Sequence, residues 1–184
     1  MMAMFFSQMA QGMMNAERGT NLLDTGAHFY DVFETADGGW ISLGSIEPQF
    51  YAELRQHLGL DDEAFDEQLN PERWPELKAR IAEVVREKTR DEWDAILRDT
   101  DVCYAPVLSL DEAPKDPHHV ARGTFVEVDG VAQAAPAPRF SRTSPDTPRA
   151  RTAAGADTRD VLASFDFADD EVERLLAAGT VEQA

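Results

Sequence analysis

The sequence of 184 residues contains a single cysteine, Cys103. One cysteine cannot form an internal disulfide or supply the several spaced Cys and His ligands of a zinc ribbon or an iron–sulfur cluster. We therefore expect no metal site and predict a reducing, cytoplasmic location. Because Cys103 lies between apolar residues such as Val102 and Val107, and a nucleophilic thiol needs an electropositive, partly exposed setting, we interpret it as a buried packing residue.

Basic side chains are also few: 17 Lys and Arg residues stand against 35 Asp and Glu residues, which gives a net charge of −18. Nucleic-acid binding depends on Lys and Arg that neutralise phosphates, so no nucleic-acid partner is expected. No uncharged segment reaches the roughly 20 apolar residues of a transmembrane helix, so we expect no membrane span. Hydrophobic residues make up 43% of the chain, which is enough for a packed core.

The first sixteen residues carry no charge and hold all six methionines of the chain. An isolated surface rich in Met and Phe promotes association, so this segment predicts a helix that belongs to a larger core. We assign residues 1–19 to a helix of a large domain that is either absent from this chain or supplied by a partner.

The pattern then changes to alternating strands and amphipathic helices, which predicts an α+β domain over residues 20–140. Strands at residues 29–33 and 40–43 flank Asp37-Gly38, a pair favoured in two-residue hairpin turns. Pro48 suits the first position of a helix that Gly59 ends. A second helix is predicted from Asn70-Pro71, and a third from the capping box of Thr89 and Glu92.

The C-terminal part of the chain predicts one more strand, one more hairpin and a tail. Residues 102–108 indicate a short buried strand, and Asp129-Gly130 joins the two strands of a hairpin at residues 124–134. Residues 141–184 are predicted to form an extended connector followed by short helices at 158–165 and 169–178.

Several residues are candidates for a functional role. Glu47 lies at a predicted strand-to-helix junction, where a carboxylate complements the helix dipole, so a structural role is favoured from spacing alone. Asp24 and His28 would share a face only on a helix, and a surface or turn histidine is the favoured interpretation. His118 and His119 are adjacent, so they point apart and no metal is assigned.

Arginines concentrate at residues 139–159, in and beside the connector, where they could bind phosphate or lie in solvent: Arg139, Arg142, Arg149, Arg151 and Arg159. The sequence has no P-loop, no Gly-x-Gly-x-x-Gly, no Gly-x-Ser-x-Gly and no paired-histidine motif. From the residues alone, the prediction therefore stops at an acidic α+β domain with an unsatisfied N-terminal helix.

Long stretches of the sequence nevertheless resemble the α-methylacyl-CoA racemases of the class III CoA-transferase (CaiB/BaiF-type) superfamily. The similar segments are residues 19–38, 41–51, 101–108, 117–125 and 136–143, and the second of them contains Gly44-Ser45-Ile46-Glu47-Pro48-Gln49-Phe50. They follow the family order over nearly the whole chain but cover only the C-terminal half of the family. The family usually reads Asp-Gly-Gly-Ala-Pro where this chain has Asp24-Thr25-Gly26-Ala27-His28.

The resemblance implies the small domain of the class III CoA-transferase fold, built from hairpins and helices, in an interlocked homodimer or with a complementing N-terminal half. It also implies that the tail of residues 141–184 returns to a large domain. The implied substrate is an acyl-CoA thioester, so coenzyme A belongs to the substrate and no separate cofactor is expected; no coenzyme A-binding residue is assigned in this chain. The His and Asp bases of the racemases lie in the half that is not matched. Among the family's active-site residues only Glu47 maps here, in a supporting role to the catalytic histidine.

Three hypotheses follow from this resemblance. The first is a racemase-like enzyme that epimerises 2-methylacyl-CoA thioesters by α-proton abstraction and reprotonation, and is inactive without the missing half. The second is a CoA-transferase fragment that moves CoA between carboxylic acids. The third is a catalytically dead interaction module that binds a family homologue.

Overall fold

The computed structural model describes residues 2–184, which form the α+β fold predicted from the sequence. Within that range the helices are α1 (Ala3–Ala10), α2 (Pro48–Leu58), α3 (Trp74–Val85), α4 (Arg90–Leu97), α5 (Pro117–Arg122), α6 (Thr158–Ser164) and α7 (Asp169–Ala177). The strands are β1 (Tyr30–Glu34), β2 (Trp40–Gly44), β3 (Tyr104–Val107), β4 (Phe125–Val128) and β5 (Val131–Ala134). Short 3₁₀ helices occur at Glu63–Asp66 and Ala113–Lys115.

The chain separates into two compact units, Met1–Ser109 and Leu110–Ala184. The first unit contains a three-stranded antiparallel sheet in the order β1, β2, β3. The second contains the two-stranded antiparallel sheet of β4 and β5. The division predicted from the sequence, with boundaries after residues 19 and 140, stays a prediction.

The hairpin of β1 and β2 confirms the predicted strands, but its connection is longer than the predicted two-residue turn. The last paired residues are Glu34 and Trp40, and the backbone N–H of Thr35 donates to Gly39 O at 2.9 Å. Gly38 has a φ of 76°, in the left-handed region. The bond between Thr35 and Gly39 leaves three residues, Ala36 to Gly38, in the connection. A three-residue connection of this kind needs a left-handed residue at its end, and Gly38 takes that position.

The core of the first unit lies between this sheet and helices α2, α3 and α4. Each helix buries one apolar face because its large hydrophobic residues recur at three- and four-residue steps. The buried helical residues are Tyr51, Leu54, Leu58, Trp74, Leu77, Ile81, Val85, Trp93 and Leu97. They pack with Phe29, Phe33 and Ile41 of the sheet region.

Helix α3 begins at Trp74 rather than at the predicted Asn70-Pro71. The Asn70 side chain accepts a hydrogen bond from the backbone N–H of Glu72 at 3.1 Å. An Asn that binds the backbone two residues onward favours a turn over a helix. The segment before Trp74 is therefore a turn that leads into the helix.

Helix α4 begins with the predicted capping box. The Thr89 hydroxyl accepts from the backbone N–H of Glu92, and the Glu92 carboxylate accepts from the backbone N–H of Thr89. We expect Thr89→Ala to lower the free energy of unfolding by about 1 kcal/mol, since an N-cap hydroxyl satisfies one backbone donor of the first turn. Urea titration measures this difference. Thr143→Ala, an exposed connector position, is the control, and equal stability of the two variants would contradict the prediction.

The second unit is described by its hairpin, its connector and its two terminal helices. Asp129 and Gly130 both have positive φ, 53° and 75°, as the tight turn between β4 and β5 requires. In residues 110–184, all of which the structure describes, Val172 is the one hydrophobic side chain that is buried. The connector forms no helix or strand between Ala134 and Thr158, as predicted.

Helix α1 confirms a helix in the uncharged N-terminal segment, although it is only eight residues long. None of its residues is buried, and Met2, Met4, Phe6, Met9 and Met13 are large exposed hydrophobic residues in and beside it. Among residues 2–184, no helix has both the length and the apolar character that a membrane crossing requires.

Candidate functional site

Glu47 occupies the junction between β2 and α2, as the sequence predicts. Its backbone is extended, with φ −71° and ψ 144°, and it is the N-cap of α2, with Pro48 in the first helical position. Its backbone carbonyl accepts the first helical hydrogen bond, from Tyr51 N at 2.9 Å. Its side chain is exposed and makes no capping hydrogen bond to α2. The backbone of Glu47 is thus fixed while its carboxylate faces outward.

The residues before Glu47 are held from two sides of the fold. Ser45 is completely buried; its hydroxyl donates to Val102 O at 2.6 Å, and its backbone N–H donates to Phe29 O at 3.1 Å. A buried hydroxyl without a partner is costly, so these bonds fix Ser45 between the segment before β1 and the segment before β3.

A third contact on the junction comes from Gln68, which lies in the turn before α3. The Gln68 amide nitrogen donates to Ser45 O at 3.2 Å and to Ile46 O at 2.9 Å. Gln68 was not among the residues predicted from the sequence. Gln68 is 21 positions from Glu47 and no local pattern connects the two, so only the tertiary fold reveals the contact.

Cys103 lies close enough to Glu47 for the charge of Glu47 to affect its thiol, but it does not have the predicted buried position. It is exposed rather than buried, and its φ of 53° places it in the left-handed region immediately before β3. The strand itself is partly exposed because it forms one edge of the sheet. Partial desolvation raises the pKa of the Cys103 thiol, and the negative charges of Glu47 and Asp101 raise that pKa further. The thiol is therefore kept protonated, which does not favour a nucleophilic role.

A shallow cleft of about 300 Å³ opens on the sheet beside this junction. Its lining includes Tyr30, Ser42, Gly44 and Cys103. At its rim, Asp31 forms an ion pair with Lys78 of α3 at 2.8 Å.

His28 lies in a turn, as predicted, but it is buried, so the predicted surface position is wrong. Its side chain is 0% exposed, and its Nε2 lies 2.7 Å from the hydroxyl of Tyr51. Tyr51 donates its own proton to Phe65 O at 3.0 Å, so Nε2 of His28 must be the donor to the Tyr51 oxygen. The other ring nitrogen, Nδ1, is buried with no hydrogen-bond partner among the described residues. Burial, followed by the positive charge of Lys78, lowers the pKa of His28 to about 4.

Asp24 does not pair with His28. It stabilises the loop before β1 through hydrogen bonds to Asn21. Its two carboxylate oxygens accept from the backbone N–H of Asn21 at 2.7 Å and from the Asn21 side-chain amide at 2.8 Å. Thr25 has a φ of 72°, a conformation that favours glycine, which is the residue in the family pattern at this position. This chain therefore forms a left-handed turn with a threonine rather than a glycine.

The remaining candidates lie in the second unit. His118 and His119 lie in the first turn of α5, where Asp116 accepts hydrogen bonds from both of their backbone N–H groups. No group of three or more His, Cys, Asp or Glu residues among residues 2–184 is arranged to hold a metal ion. Two of the connector arginines make local contacts: Arg139 with the carbonyls of Arg122 and Gly123, and Arg159 with Glu173 at 2.6 Å.

Comparisons with known proteins agree with this fold. A family model described as CoA-transferase family III matches residues 1–158. Alpha-methylacyl-CoA racemase of Mus musculus is 40% identical over 175 residues, 93% of this chain and 45% of that protein. Alpha-methylacyl-CoA racemase of Homo sapiens is 38% identical over 171 residues, 91% of this chain and 44% of that protein. The chain thus spans about half the length of the curated relatives it matches.

Solved structures show the same fold at lower identity. The crystal structure of a CaiB/BaiF family protein from Brucella suis has a TM-score of 0.68 and 20% sequence identity, covering 90% of this chain and 44% of that one. From the family model and the extent of the two racemase matches together, we conclude that this chain belongs to CoA-transferase family III.

Proposed function

We propose that this chain forms the C-terminal part of an α-methylacyl-CoA racemase-like enzyme that epimerises 2-methylacyl-CoA thioesters. The identity of 38–40% with the mouse and human racemases supports this proposal. In such a reaction one base removes the proton α to the thioester carbonyl, the C–H electron pair forms an enolate, and an acid on the opposite face returns a proton. Because the chain spans less than half of those relatives, we expect the bases to lie outside it and the chain alone to be inactive.

Glu47 is proposed to orient and charge-stabilise the imidazole base. A carboxylate beside an imidazole fixes its tautomer and stabilises the imidazolium that forms when the base takes up a proton. This role is supported by one observation about Glu47. Its backbone is fixed as the N-cap of α2, while its side chain is exposed and does not cap the helix. A carboxylate needed only for the helix dipole would gain more from capping the first turn.

We expect Glu47→Gln, introduced at the native locus and measured in the assembly isolated from its source cells, to slow α-hydrogen exchange about tenfold to a hundredfold. The neutral amide keeps the shape of the side chain but no longer stabilises an imidazolium, so part of the general-base contribution is lost. Mass spectrometry of 2-methylacyl-CoA in heavy water measures the exchange. Glu87→Gln, an exposed position after α3, is the control, and wild-type exchange by Glu47→Gln would contradict the role.

CoA transfer between carboxylic acids is the second candidate, and the match to the CoA-transferase family III model favours it. A transferase would pass CoA to an added free acid, whereas a racemase would exchange the α-hydrogen without such an acceptor. The same assembly is assayed for both reactions. Absence of both would favour the third hypothesis, a module that binds a family homologue through the exposed Met and Phe side chains of α1.

The proposed assembly is an interlocked homodimer or a pair with a complementing N-terminal half. The exposed hydrophobic residues of α1 and the single buried hydrophobic residue of the second unit support a protein partner, because small units with so little core are seldom stable alone. Peptide mass spectrometry of the purified assembly identifies which polypeptides it contains.

A further inference from the structure

The side chain of Gln68 contacts the Glu47 junction from the turn before α3. Its Nε2 donates two hydrogen bonds, to Ser45 O at 3.2 Å and to Ile46 O at 2.9 Å. These two carbonyls belong to the residues that immediately precede Glu47. An amide NH₂ has two donor hydrogens, so a single side chain satisfies both acceptors.

Gln68 is itself held in place by the core. Its backbone carbonyl accepts a hydrogen bond from the indole N–H of Trp74 at 2.8 Å. Trp74 is only 6% exposed and meets the ring of Phe29 edge to face, with ring centroids 6.3 Å apart. The position of Gln68 is thus set by the buried first turn of α3.

The bond to Ile46 O has a direct geometric effect on Glu47. The carbonyl of Ile46 and the N–H of Glu47 belong to one planar peptide unit, so fixing that carbonyl fixes the plane from which the Cα of Glu47 continues. Together with the φ of −71° imposed at the N-cap, this plane sets the direction of the Glu47 Cα–Cβ bond. Ser45, bonded to Val102 and Phe29, anchors the other end of the same short segment.

We propose that Gln68 is a positioning residue that acts through Glu47 by fixing the peptide that precedes it. This inference rests on the proposed role of Glu47 as the carboxylate that supports an imidazole base. Gln68 does not contact the reacting atoms; it sets where the Glu47 carboxylate points. A merely structural role for Gln68 would affect folding but would not depend on whether residue 47 carries a carboxylate.

The test is a double-mutant cycle for α-hydrogen exchange in the native assembly. Gln68→Met keeps the length of the side chain and removes both donors, and we expect it to lower kcat about tenfold with little change in KM, since small displacements of a supporting group are costly. In a Glu47→Gln background we expect Gln68→Met to cause no further loss, because the side chain it positions is already disabled. Gln56→Met, at an exposed position of α2, is the matched control and should keep wild-type kcat.

Each outcome decides between the two proposals. The positioning role of Gln68 is overturned if the losses in kcat of the two single variants multiply in the double variant. It is also overturned if Gln68→Met keeps the wild-type kcat while Glu47→Gln slows exchange. In both cases the proposed role of Glu47 stands. If Glu47→Gln itself exchanges at the wild-type rate, the proposed function of Glu47 falls and this inference falls with it. Should Gln68→Met not fold, Gln68→Asn, which is too short to reach both carbonyls, replaces it in the same cycle with the same criteria.

Discussion

Gly26→Ala is expected to lower the free energy of unfolding by about 3 kcal/mol, the upper end of the range for overpacked sites. A Cβ at Gly26 would lie 2.4 Å from Asn21 O and 2.5 Å from Thr20 C, both main-chain atoms. The backbone there has little room to move, because Gly26 N donates to the same Asn21 O at 2.9 Å. The Asn21 side-chain amide is also tied to Asp24 at 2.8 Å. Thermal and urea unfolding of the variant measure the loss.

Gly44→Ala is the matched control for this prediction. A Cβ at Gly44 would meet its nearest neighbour, Cys103 O, at 3.6 Å, which is ordinary van der Waals contact. We therefore expect Gly44→Ala to change the free energy of unfolding by less than about 1 kcal/mol, because the added methyl group would displace no neighbouring atom. Equal stability of the two alanine variants would show that the loop at Gly26 yields easily, contrary to the packing described above.

The stability of the first unit is expected to fall steeply with acid because of His28. Its pKa is about 4 in the folded protein against 6.5 in the unfolded chain, so the unfolded state binds the proton more readily. The contribution of neutral His28 to the free energy of unfolding is fully present above pH 6.5 and is lost as the pH falls from 6.5 through 4. Since one pKa unit corresponds to 1.36 kcal/mol, the loss attributable to His28 reaches about 3 kcal/mol at pH 4.

The physical cause of this loss is the environment of Nδ1. The ring already donates from Nε2 to Tyr51, so a second proton must go to Nδ1, which is buried without a partner among the described residues. The ring is also enclosed by aromatic side chains, with Phe29 and Phe65 at centroid distances of 5.1 and 6.0 Å. An unpaired buried cation is costly, so protonation favours the unfolded chain.

Urea titrations at pH 7 and pH 5 measure the effect in a range where few carboxylates titrate. We expect the wild type to lose about 2 kcal/mol over this interval from His28. His28→Gln retains a donor for Tyr51 but no titrating group, so its stability should change less between the two pH values. His118→Gln, at an exposed position of α5, should keep the wild-type pH dependence. If the free energy of unfolding of His28→Gln fell between pH 7 and pH 5 as much as that of the wild type, His28 would not be the cause of the acid sensitivity.

Where a structural feature is encoded by neighbouring residues, the sequence was sufficient to predict it. The capping box of Thr89 and Glu92, the Asp129-Gly130 turn and the helix between Pro48 and Gly59 all depend on residues within a few positions of one another. Glu47 was likewise predicted at a strand-to-helix junction, because Pro48 marks the helix start. These signals are local, so they survive without knowledge of the tertiary fold.

The features that the sequence did not predict depend on contacts between distant segments. His28 is buried because Tyr51 and Phe65, 23 and 37 positions away, enclose it, and no pattern around residue 28 encodes that enclosure. Cys103 is exposed because β3 became the edge of the sheet rather than an inner strand. Gln68 reaches the Glu47 junction only because α3 packs where it does. The role of Glu47 itself came from the resemblance, not from spacing.

The edge position of β3 also limits how the sheet can grow. Gly44 N donates to Cys103 O, so Cys103 and Ala105 direct their backbone groups toward β2, while Tyr104 and Pro106 direct theirs outward. Proline has no N–H, and the strand is only four residues long. An incoming strand would thus find one donor missing from a very short ladder, which discourages edge-to-edge aggregation. Pro106 thereby makes the β3 edge of this sheet a poor template for a further strand.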